Sequence, residues 1–409
     1  MNKERLLLYL LLTGILTGGL CGWLIGTPMI AWTWVGTLFL NALKMLIVPL
    51  IISAMIMAVA ELGDVRRLGK SGTLVMAYYL CTTAMAVLIG IIAVNIIQPG
   101  IGIVSGDAVQ PEQIIGKKKG IEDIILSLVS PNIVESAAKM EILPLIVFSL
   151  LFGGILTTLG EKGKQVIGFF DGVNRAIMKM VRLIMWLAPL GVFALVASKL
   201  GEKGGGAGVM EEIIKIGKYF LTVLIGLGIH GFIVLPLILG LVARRKVLPY
   251  AGGMLQALTT AWSTASSMAS LPVTMRCARE NNGVSRRSTM LVTPLGATIN
   301  MDGTALYEAV AAIFIAQATG HPLGFGDQAL IFVTATLAAI GAAGIPEAGL
   351  VTMVIVLNAV GLPLEGIGLI LTVDWFLDRF RTTVNVWGDA VGAAVMDRFM
   401  GPEEEKERA

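Results

Sequence analysis

The chain has 409 residues, of which 56% are hydrophobic and 14% are charged, and its formal net charge is +3. A soluble domain carries about 25% charged residues, so this chain cannot cover a soluble globule with charge. The composition argues against a soluble enzyme, a nucleic-acid binder and a disordered protein, and it predicts a polytopic membrane protein in a lipid bilayer. The 49 glycines indicate close helix contacts or non-helical backbone at membrane depth.

The cysteines and histidines form no metal or catalytic pattern. The cysteines Cys21, Cys81 and Cys277 lie in or beside apolar runs without a C-x-x-C spacing, so no disulfide framework or zinc site is expected. The histidines His230 and His321 are far apart, and His230 lies within an apolar run. Its simplest interpretation is a packed core side chain, with a functional role as the alternative.

Apolar runs long enough to cross a bilayer, which takes roughly 20 residues, follow one another through the first part of the chain. They are 6–25, 30–60, 73–97, 142–159, 166–200 and 213–242. The later segments are less regular. They are a small-residue run at 249–274, an apolar run at 289–319 broken at 300–304, another at 329–362 broken at 341–346, and a charged helix at 369–400.

Basic loops give the predicted orientation. The loops 61–70, 244–246 and 276–287 carry Lys and Arg, and the positive-inside rule places them with both termini in the cytoplasm of a cell (inner or plasma) membrane. The segments 249–274 and 329–362 must then enter and leave the bilayer on the same side. They are predicted to be re-entrant hairpins related as inverted repeats. Two kinked spanning helices are the alternative.

The last helix carries the strongest chemical signal. Asp374, Asp378, Arg381, Asn385 and Asp389 are spaced by 4, 3, 4 and 4 residues, which places them on one helical face. Ionisable groups at membrane depth are costly and normally face a cavity or a partner. Arg381 offers a planar fork for a carboxylate, Asp378 an acceptor for an ammonium group, and Asp389 an oxygen for a hard cation. A ligand with both carboxylate and ammonium groups fits best. A solvated interfacial helix is the alternative.

The break at 300–304 is the second signal. Asn, Asp and Gly favour non-helical backbone, which is tolerated inside a span only where it lines a cavity. Its carbonyls and the oxygens of Asn300 and Asp302 predict a Na⁺ site. Glu308, in an otherwise apolar helix, is a candidate proton carrier, or else a partnered structural carboxyl. The glycine-rich tip at 341–346 is a candidate gate and carboxylate site, or else a packing device.

Three runs resemble the glutamate transporter family of dicarboxylate/amino acid:cation symporters, close to the excitatory amino acid transporter and prokaryotic glutamate symporter group. They are GATINMDGTALYE at 296–308, GAAGIPEAG at 341–349 and DRFRTTVN at 378–385. The resemblance implies an all-α polytopic membrane protein with eight transmembrane helices plus two re-entrant hairpins, assembled as a homotrimeric elevator transporter. The implied domains are scaffold at 1–70, the third span of the transport domain at 71–98, scaffold at 99–205 and transport domain at 206–409.

The resemblance also implies a function, which is not enzymatic. It is secondary active uptake of L-glutamate and L-aspartate driven by the Na⁺ gradient, with H⁺ cotransport through Glu308 and K⁺ left open as a counter-ion. Arg381 matches the family position for the substrate side-chain carboxylate, Asp378 that for the amino group, and Asn385 that for the main-chain carboxylate. The implied substrate contacts are Ser267, Met301, Thr304, Ile345, Gly349, Asp374, Asp378, Arg381, Thr382 and Asn385.

Up to three sodium sites are implied by the same resemblance. The first uses Gly296, Asn300, Asn385 and Asp389; the second uses carbonyls of Thr298, Ala339, Ile340 and Ala342; the third uses Tyr79, Thr82, Thr83, Asn300 and Asp302. Ala265 and Met268 interrupt the serine-rich tip that the family carries in the first hairpin. A C4-dicarboxylate or neutral amino acid symporter of the same fold, with or without an anion conductance, remains the alternative.

Overall fold

A computed structural model describes residues 3–60, 69–101, 121–202, 207–340 and 348–400. Regular structure within these ranges is helical throughout. The helices of the first half are α1 (Lys3–Ile25), α2 (Thr33–Ala60), α3 (Gly69–Ile97), α4 (Ile121–Ser127), α5 (Ile133–Ala138), α6 (Ile142–Thr157), α7 (Glu161–Met185) and α8 (Ala188–Glu202). Those of the second half are α9 (Ala207–Ile229), α10 (Leu235–Leu237), α11 (Val247–Thr264), α12 (Ser267–Arg276), α13 (Arg286–Ile299), α14 (Asp302–Ala318), α15 (Phe325–Ile340), α16 (Ala348–Ala359) and α17 (Ile367–Met400).

Four helical stretches among the described residues are long and apolar enough to cross a bilayer. They are Thr27–Ala60, Gly72–Ile97, Ile214–Val242 and Arg286–Ala318. The helices α7 and α8 also pass this test as a pair, but they are bent by 54°. The apolar run predicted over 166–200 is therefore divided between two helices. The break at Trp186 and Leu187 follows Met185, the residue four positions before Pro189, because proline has no N–H to bond that carbonyl and its ring clashes with it.

Small residues bring α1 against α8. A Cβ added at Gly18 would lie 2.7 Å from the carbonyl oxygen of Phe193, and one added at Gly22 would lie 2.8 Å from Leu200 Cβ. Gly14 lies equally close to the backbone of Pro189, whereas Gly19 has open space around it. Since only glycine permits this approach, α1 and α8 pack backbone to backbone, and α2 packs on α6, α7 and α8 beside them.

The helices α11 and α12 form a hairpin with a two-residue connection. Ala265 takes the left-handed conformation at φ 48°, and the Ser266 hydroxyl accepts a hydrogen bond from the amide of Ala269 at 3.1 Å as the N-cap of α12. The Trp262 ring lies 4.3 Å from that of Phe380, which fixes the hairpin to α17. In the corresponding pair, α15 packs against α16, and the tip 341–346 falls outside the described residues.

The helix α14 lies at the centre of the second half. Every residue from Asp302 to Ala316 is buried, because α14 contacts α3, α9, α15, α16 and α17. A helix buried on all sides has no solvated face for polar groups. Its polar residues must therefore find partners inside the protein.

Candidate substrate and cation site

The broken helix that the sequence predicts is present and is short. Helix α13 ends at Ile299, Asn300 and Met301 leave helical geometry, and α14 begins at Asp302. The predicted break at 300–304 is confirmed in position, but its last three residues form the first turn of α14. The carbonyl end of one helix thus meets the amide end of another at a buried point. These ends carry opposite partial charges, so the break can receive both cations and anions.

Arg381 is fully buried and faces two acids. Its Nη2 donates to Asp378 Oδ1 at 2.8 Å, and its Nη1 lies 2.9 Å from Asp374 Oδ1. The guanidinium carbon lies 3.9 Å from the centroid of the Tyr307 ring. A guanidinium has five N–H donors, and the Nε of Arg381 has no hydrogen-bond partner among the described residues. The fork therefore has donors available for a further carboxylate.

Two glycines allow neighbouring helices to approach this arginine. A Cβ added at Gly349 would lie 2.8 Å from Arg381 Nη1, and one added at Gly303 would lie 2.6 Å from the Arg381 carbonyl oxygen. Gly349 is the second residue of α16 and Gly303 the second residue of α14. Two helix N-termini therefore adjoin the guanidinium, and a helix N-terminus favours an anion.

Asn385 connects the break to the arginine. Its Oδ1 accepts from the Gly303 amide at 2.7 Å, and its Nδ2 donates to Met301 Sδ at 3.2 Å and to Thr304 Oγ1 at 3.3 Å. Because Asn385 lies one helical turn beyond Arg381 on α17, the two sets of contacts form one cluster. This cluster, called the Arg381 cluster below, comprises Met301, Thr304, Gly349, Asp374, Asp378, Arg381 and Asn385.

The remaining predicted substrate residues are less directly connected. Ser267 is buried in the first turn of α12, and Thr382 is buried on α17 next to Arg381. Neither is hydrogen-bonded to the Arg381 cluster within the described ranges. Ile345 lies outside the described residues.

A chain of buried oxygens runs from α3 through the break to α17. Thr83 Oγ1 donates to Asp302 Oδ1 at 2.7 Å, and Thr82 Oγ1 donates to Asn300 Oδ1 at 3.3 Å. Asn300 Nδ2 in turn donates to Asp389 Oδ1 at 3.0 Å. Hydroxyl, amide and carboxylate oxygens are the ligands that hard cations prefer. No group of three or more His, Cys, Asp and Glu that could hold a metal occurs in the described part of the chain.

Gly296 brings α13 against the same oxygens. A Cβ added there would lie 2.7 Å from Tyr79 Oη and would also collide with Asp389 Oδ1. Tyr79 Oη donates to the Val292 carbonyl at 2.6 Å. The structure therefore brings together most residues of the predicted first and third sodium sites. Of the predicted second site, Thr298 lies in the last turn of α13, Ala339 and Ile340 end α15, and Ala342 falls outside the described residues.

Glu308 is buried with a partner. Its Oε1 accepts a hydrogen bond from Thr352 Oγ1 on α16, while Oε2 has no hydrogen-bond partner within the described ranges. The carboxyl is therefore not isolated, and the alternative of a partnered carboxyl holds for one of its two oxygens. Thr352 lies in an apolar run and gave no signal in the sequence.

Two further residues at this site were not predicted. Tyr307 lies against Arg381, and His230 Nε2 lies 3.0 Å from Asp302 Oδ2 with both side chains fully buried. Helical spacing could have indicated Tyr307, because it shares a face of α14 with Thr304. His230 has no comparable signal in the sequence, since its partner lies 72 residues away.

Comparison with known proteins identifies the chain at the family level. The model of the Sodium:dicarboxylate symporter family matches residues 7–399. The chain belongs to this family. As a member of the sodium:dicarboxylate symporters it is a sodium-dependent transporter rather than an enzyme, and its apolar helices make it a multi-pass membrane protein.

The curated relatives agree with this assignment. The chain is 42% identical to excitatory amino acid transporter 1 of Ambystoma tigrinum, over 89% of this chain and 76% of the relative. It is also 42% identical to human excitatory amino acid transporter 3, over 91% of this chain and 80% of the relative. An excitatory amino acid transporter of Caenorhabditis elegans is 40% identical, over 97% of this chain and 88% of the relative.

Proposed function

We propose that this symporter takes up L-glutamate and L-aspartate, driven by the Na⁺ gradient and with H⁺ cotransport. The observation that carries the proposal is the buried Arg381, which is held between Asp374 and Asp378 with donors to spare. A substrate that brings a side-chain carboxylate and an ammonium group satisfies both signs of charge at once. The names of the relatives, excitatory amino acid transporters, support the same class of substrate.

The roles of the side chains follow from their chemistry. Arg381 binds the side-chain carboxylate through its fork, and Asp378 accepts hydrogen bonds from the ammonium group. Asn385 contributes to the main-chain carboxylate. Met301, Thr304 and Gly349 of the Arg381 cluster also contact the substrate, and Ser267, Ile345, Thr382 and Asp374 are the remaining contacts.

Sodium binds in up to three places. The first site is formed by Gly296, Asn300, Asn385 and Asp389, the second by carbonyls of Thr298, Ala339, Ile340 and Ala342, and the third by Tyr79, Thr82, Thr83, Asn300 and Asp302. The hydrogen bonds of Asn300 to Thr82 and Asp389 support the first and third sites. Because these two sites share Asn300, a cation in one affects the geometry of the other.

Glu308 carries the coupled proton. Its position inside α14 and its bond to Thr352 connect its protonation to α16 of the second hairpin, and Gly349 near the start of α16 adjoins Arg381. K⁺ is left open as a counter-ion. When Glu308 has lost its proton, its carboxylate carries a negative charge that another cation can balance.

Alternating access follows an elevator scheme in a homotrimer of the cell membrane, with cytoplasmic termini and eight spans. The transport domain comprises 71–98 and 206–409, and the scaffold comprises 1–70 and 99–205. The packing of α3 on α14 and α9, and of α1 on α8, supports this division. The hairpins α11–α12 and α15–α16 enter from opposite sides, and sodium organises the second over bound substrate.

Uptake in proteoliposomes tests the proposal. Radiolabelled glutamate and aspartate should accumulate against their gradient when Na⁺ is higher outside, and internal and external Na⁺, H⁺ and K⁺ are varied separately. Succinate and serine serve as competitors, because a C4-dicarboxylate or a neutral amino acid symporter would prefer one of them. Passive chloride flux without uptake would instead indicate an anion channel.

Arg381→Cys is the decisive variant. We expect it to abolish uptake of acidic substrates and to admit neutral amino acids, because the fork for the side-chain carboxylate is lost. Arg279→Cys is the matched control, since Arg279 is exposed on the turn Cys277–Asn281. Unchanged glutamate uptake by Arg381→Cys would refute the proposed role of this arginine.

A further inference from the structure

A π-helical turn directly after α9 interrupts the span Ile214–Val242. In the turn His230–Val234, the Leu235 amide donates to the His230 carbonyl, whereas a regular α-helix would pair it with Gly231. Pro236 has no N–H with which to replace that bond. The indole Nε1 of Trp387 on α17 donates to the Gly231 carbonyl instead, at 3.0 Å. The shifted register is therefore stabilised from outside its own helix.

The turn directs His230 at the cation network. Its Nε2 lies 3.0 Å from Asp302 Oδ2, and neither side chain is exposed. When Asp302 is ionised, its carboxylate only accepts hydrogen bonds, and the His230 tautomer with the proton on Nε2 is the one that makes this bond. Thr83 donates to the other oxygen, Asp302 Oδ1, at 2.7 Å. Asp302 is thus held on both oxygens, by α3 on one side and by the π turn on the other.

We propose that His230 is a positioning residue that sets the affinity for sodium by fixing the carboxylate of Asp302. The inference rests on the proposed function, in which Asp302 is a sodium ligand. Each oxygen of the Asp302 carboxylate keeps one lone pair beyond the hydrogen bond it already accepts. Fixing the plane of the carboxylate directs these lone pairs toward a bound sodium ion. Partners that orient a metal ligand are typically worth about 10–100-fold in metal affinity. His230 makes no hydrogen bond to the Arg381 cluster among the described residues, so substrate affinity at saturating sodium should change little.

Two substitutions separate the hydrogen bond from the bulk of the side chain. His230→Leu removes the donor, and His230→Gln retains an amide N–H near the position of Nε2. In purified protein, we expect His230→Leu to raise the Na⁺ concentration for half-maximal aspartate binding about 10–100-fold, and His230→Gln to stay within about threefold of the unaltered protein. The aspartate Kd at saturating Na⁺ should be similar in all three. The second readout is the rise in melting temperature on adding Na⁺ alone, which His230→Leu should reduce.

Tyr250→Phe is the control for a merely structural role. It removes the buried bond from Tyr250 Oη to the Ala390 carbonyl of α17, at 2.7 Å, and involves neither Asp302 nor the π turn. If His230→Leu does not fold, His230→Asn replaces it, because its shorter amide cannot reach the carboxylate. The proposal is overturned if Tyr250→Phe shifts the sodium dependence as much as loss of the His230 donor does, if His230→Gln is no better than His230→Leu, or if the sodium dependence does not change.

A further variant separates this proposal from the proposed function. Asp302→Asn should weaken sodium binding more than any His230 variant if Asp302 is a ligand. If Asp302→Asn leaves the sodium dependence unaltered, the assignment of the third sodium site is wrong. If Asp302→Asn weakens sodium binding and His230→Leu does not, only the role of His230 is refuted.

Discussion

The guanidinium of Arg381 lies face-on against Tyr307, with 3.9 Å between the guanidinium carbon and the ring centroid, and both side chains are fully buried. A desolvated cation–π contact of this kind is worth up to about 2 kcal/mol. The ring therefore stabilises the charge of Arg381 and also fixes the plane in which its fork is presented.

Loss of this ring should weaken binding of acidic substrates. Tyr307→Leu is expected to raise the aspartate Kd about 5–30-fold, which corresponds to about 1–2 kcal/mol. Tyr307→Phe keeps the ring face and should bind nearly as well as the unaltered protein. Calorimetry at saturating Na⁺ measures both. Equal losses in the two variants would show that the hydroxyl, not the ring face, is what matters.

A methyl group at Gly349 should prevent α16 from closing on the arginine. The added Cβ would lie 2.8 Å from Arg381 Nη1 and 3.3 Å from Thr304 Cγ2, so the helix or the guanidinium must move. We expect Gly349→Ala to raise the Kd for aspartate about tenfold or more, since displacing a binding group from its correct position costs several kcal/mol of binding energy in such sites. Gly217→Ala, at a helical position with open space around it, should bind normally. Normal binding by Gly349→Ala would contradict the proposed closure.

The hydroxyl of Thr83 should matter for sodium and not for substrate. Thr83→Val removes the donor to Asp302 while keeping the shape, and Thr83→Ser keeps the donor. The valine variant should raise the half-saturating Na⁺ concentration about 10–100-fold and the serine variant much less. Sodium titrations of aspartate binding measure this difference. If valine and serine behave alike, packing rather than the hydrogen bond is responsible.

Glu308→Gln should make uptake insensitive to a pH gradient, because glutamine cannot carry a proton through the transport cycle. Uptake into proteoliposomes with equal and unequal internal and external pH provides the measurement. Glu365→Gln, at an exposed position in the turn Leu364–Gly366, is the matched control. An unaltered pH profile in Glu308→Gln would mean that the proton travels by another group.

Asp397 should be important for stability rather than transport. It accepts hydrogen bonds from Arg245 Nη2 at 2.7 Å and from the Ser285 amide at 2.9 Å, which joins α17 to two other segments. Asp397→Ala should lower the melting temperature in detergent, at a cost of about 1–3 kcal/mol for bonds to a charged group. Glu161→Ala breaks an exposed ion pair to Lys164 and should have little effect. Equal shifts in the two variants would argue against the role of Asp397.

The parts of the site that obey a local rule could be predicted from the sequence. The stripe from Asp374 to Asp389 follows from helical periodicity alone. The break at Asn300 follows from the local preferences of Asn, Asp and Gly. The bend between α7 and α8 also had a local signal in Pro189, but the long apolar run around it concealed the break.

The other parts depend on contacts between distant segments. The π turn at His230 requires Trp387 to take the Gly231 carbonyl, across 156 residues of sequence. The partner of Glu308 is Thr352, a residue in an apolar helix that only the packing of α16 on α14 brings near. No periodicity or composition encodes such a pairing, because it depends on how helices pack and not on what each helix prefers.

The buried acids outnumber the arginine they surround. Asp302, Asp374, Asp378 and Asp389 lie with Arg381 inside one packed set of helices, and counted as ionised these five side chains carry a net charge of −3. Moving uncompensated charge through hydrocarbon costs several kcal/mol per ion. This cost opposes the crossing of a transporter whose acids have no bound cations. Under the proposed function, each bound sodium ion neutralises part of this charge and so lowers the barrier to crossing. The energy of moving any remaining charge across the membrane changes by about 2.3 kcal/mol per elementary charge for each 100 mV of membrane potential. Under the proposed function, the excess of acids prevents leakage as well as binding ions.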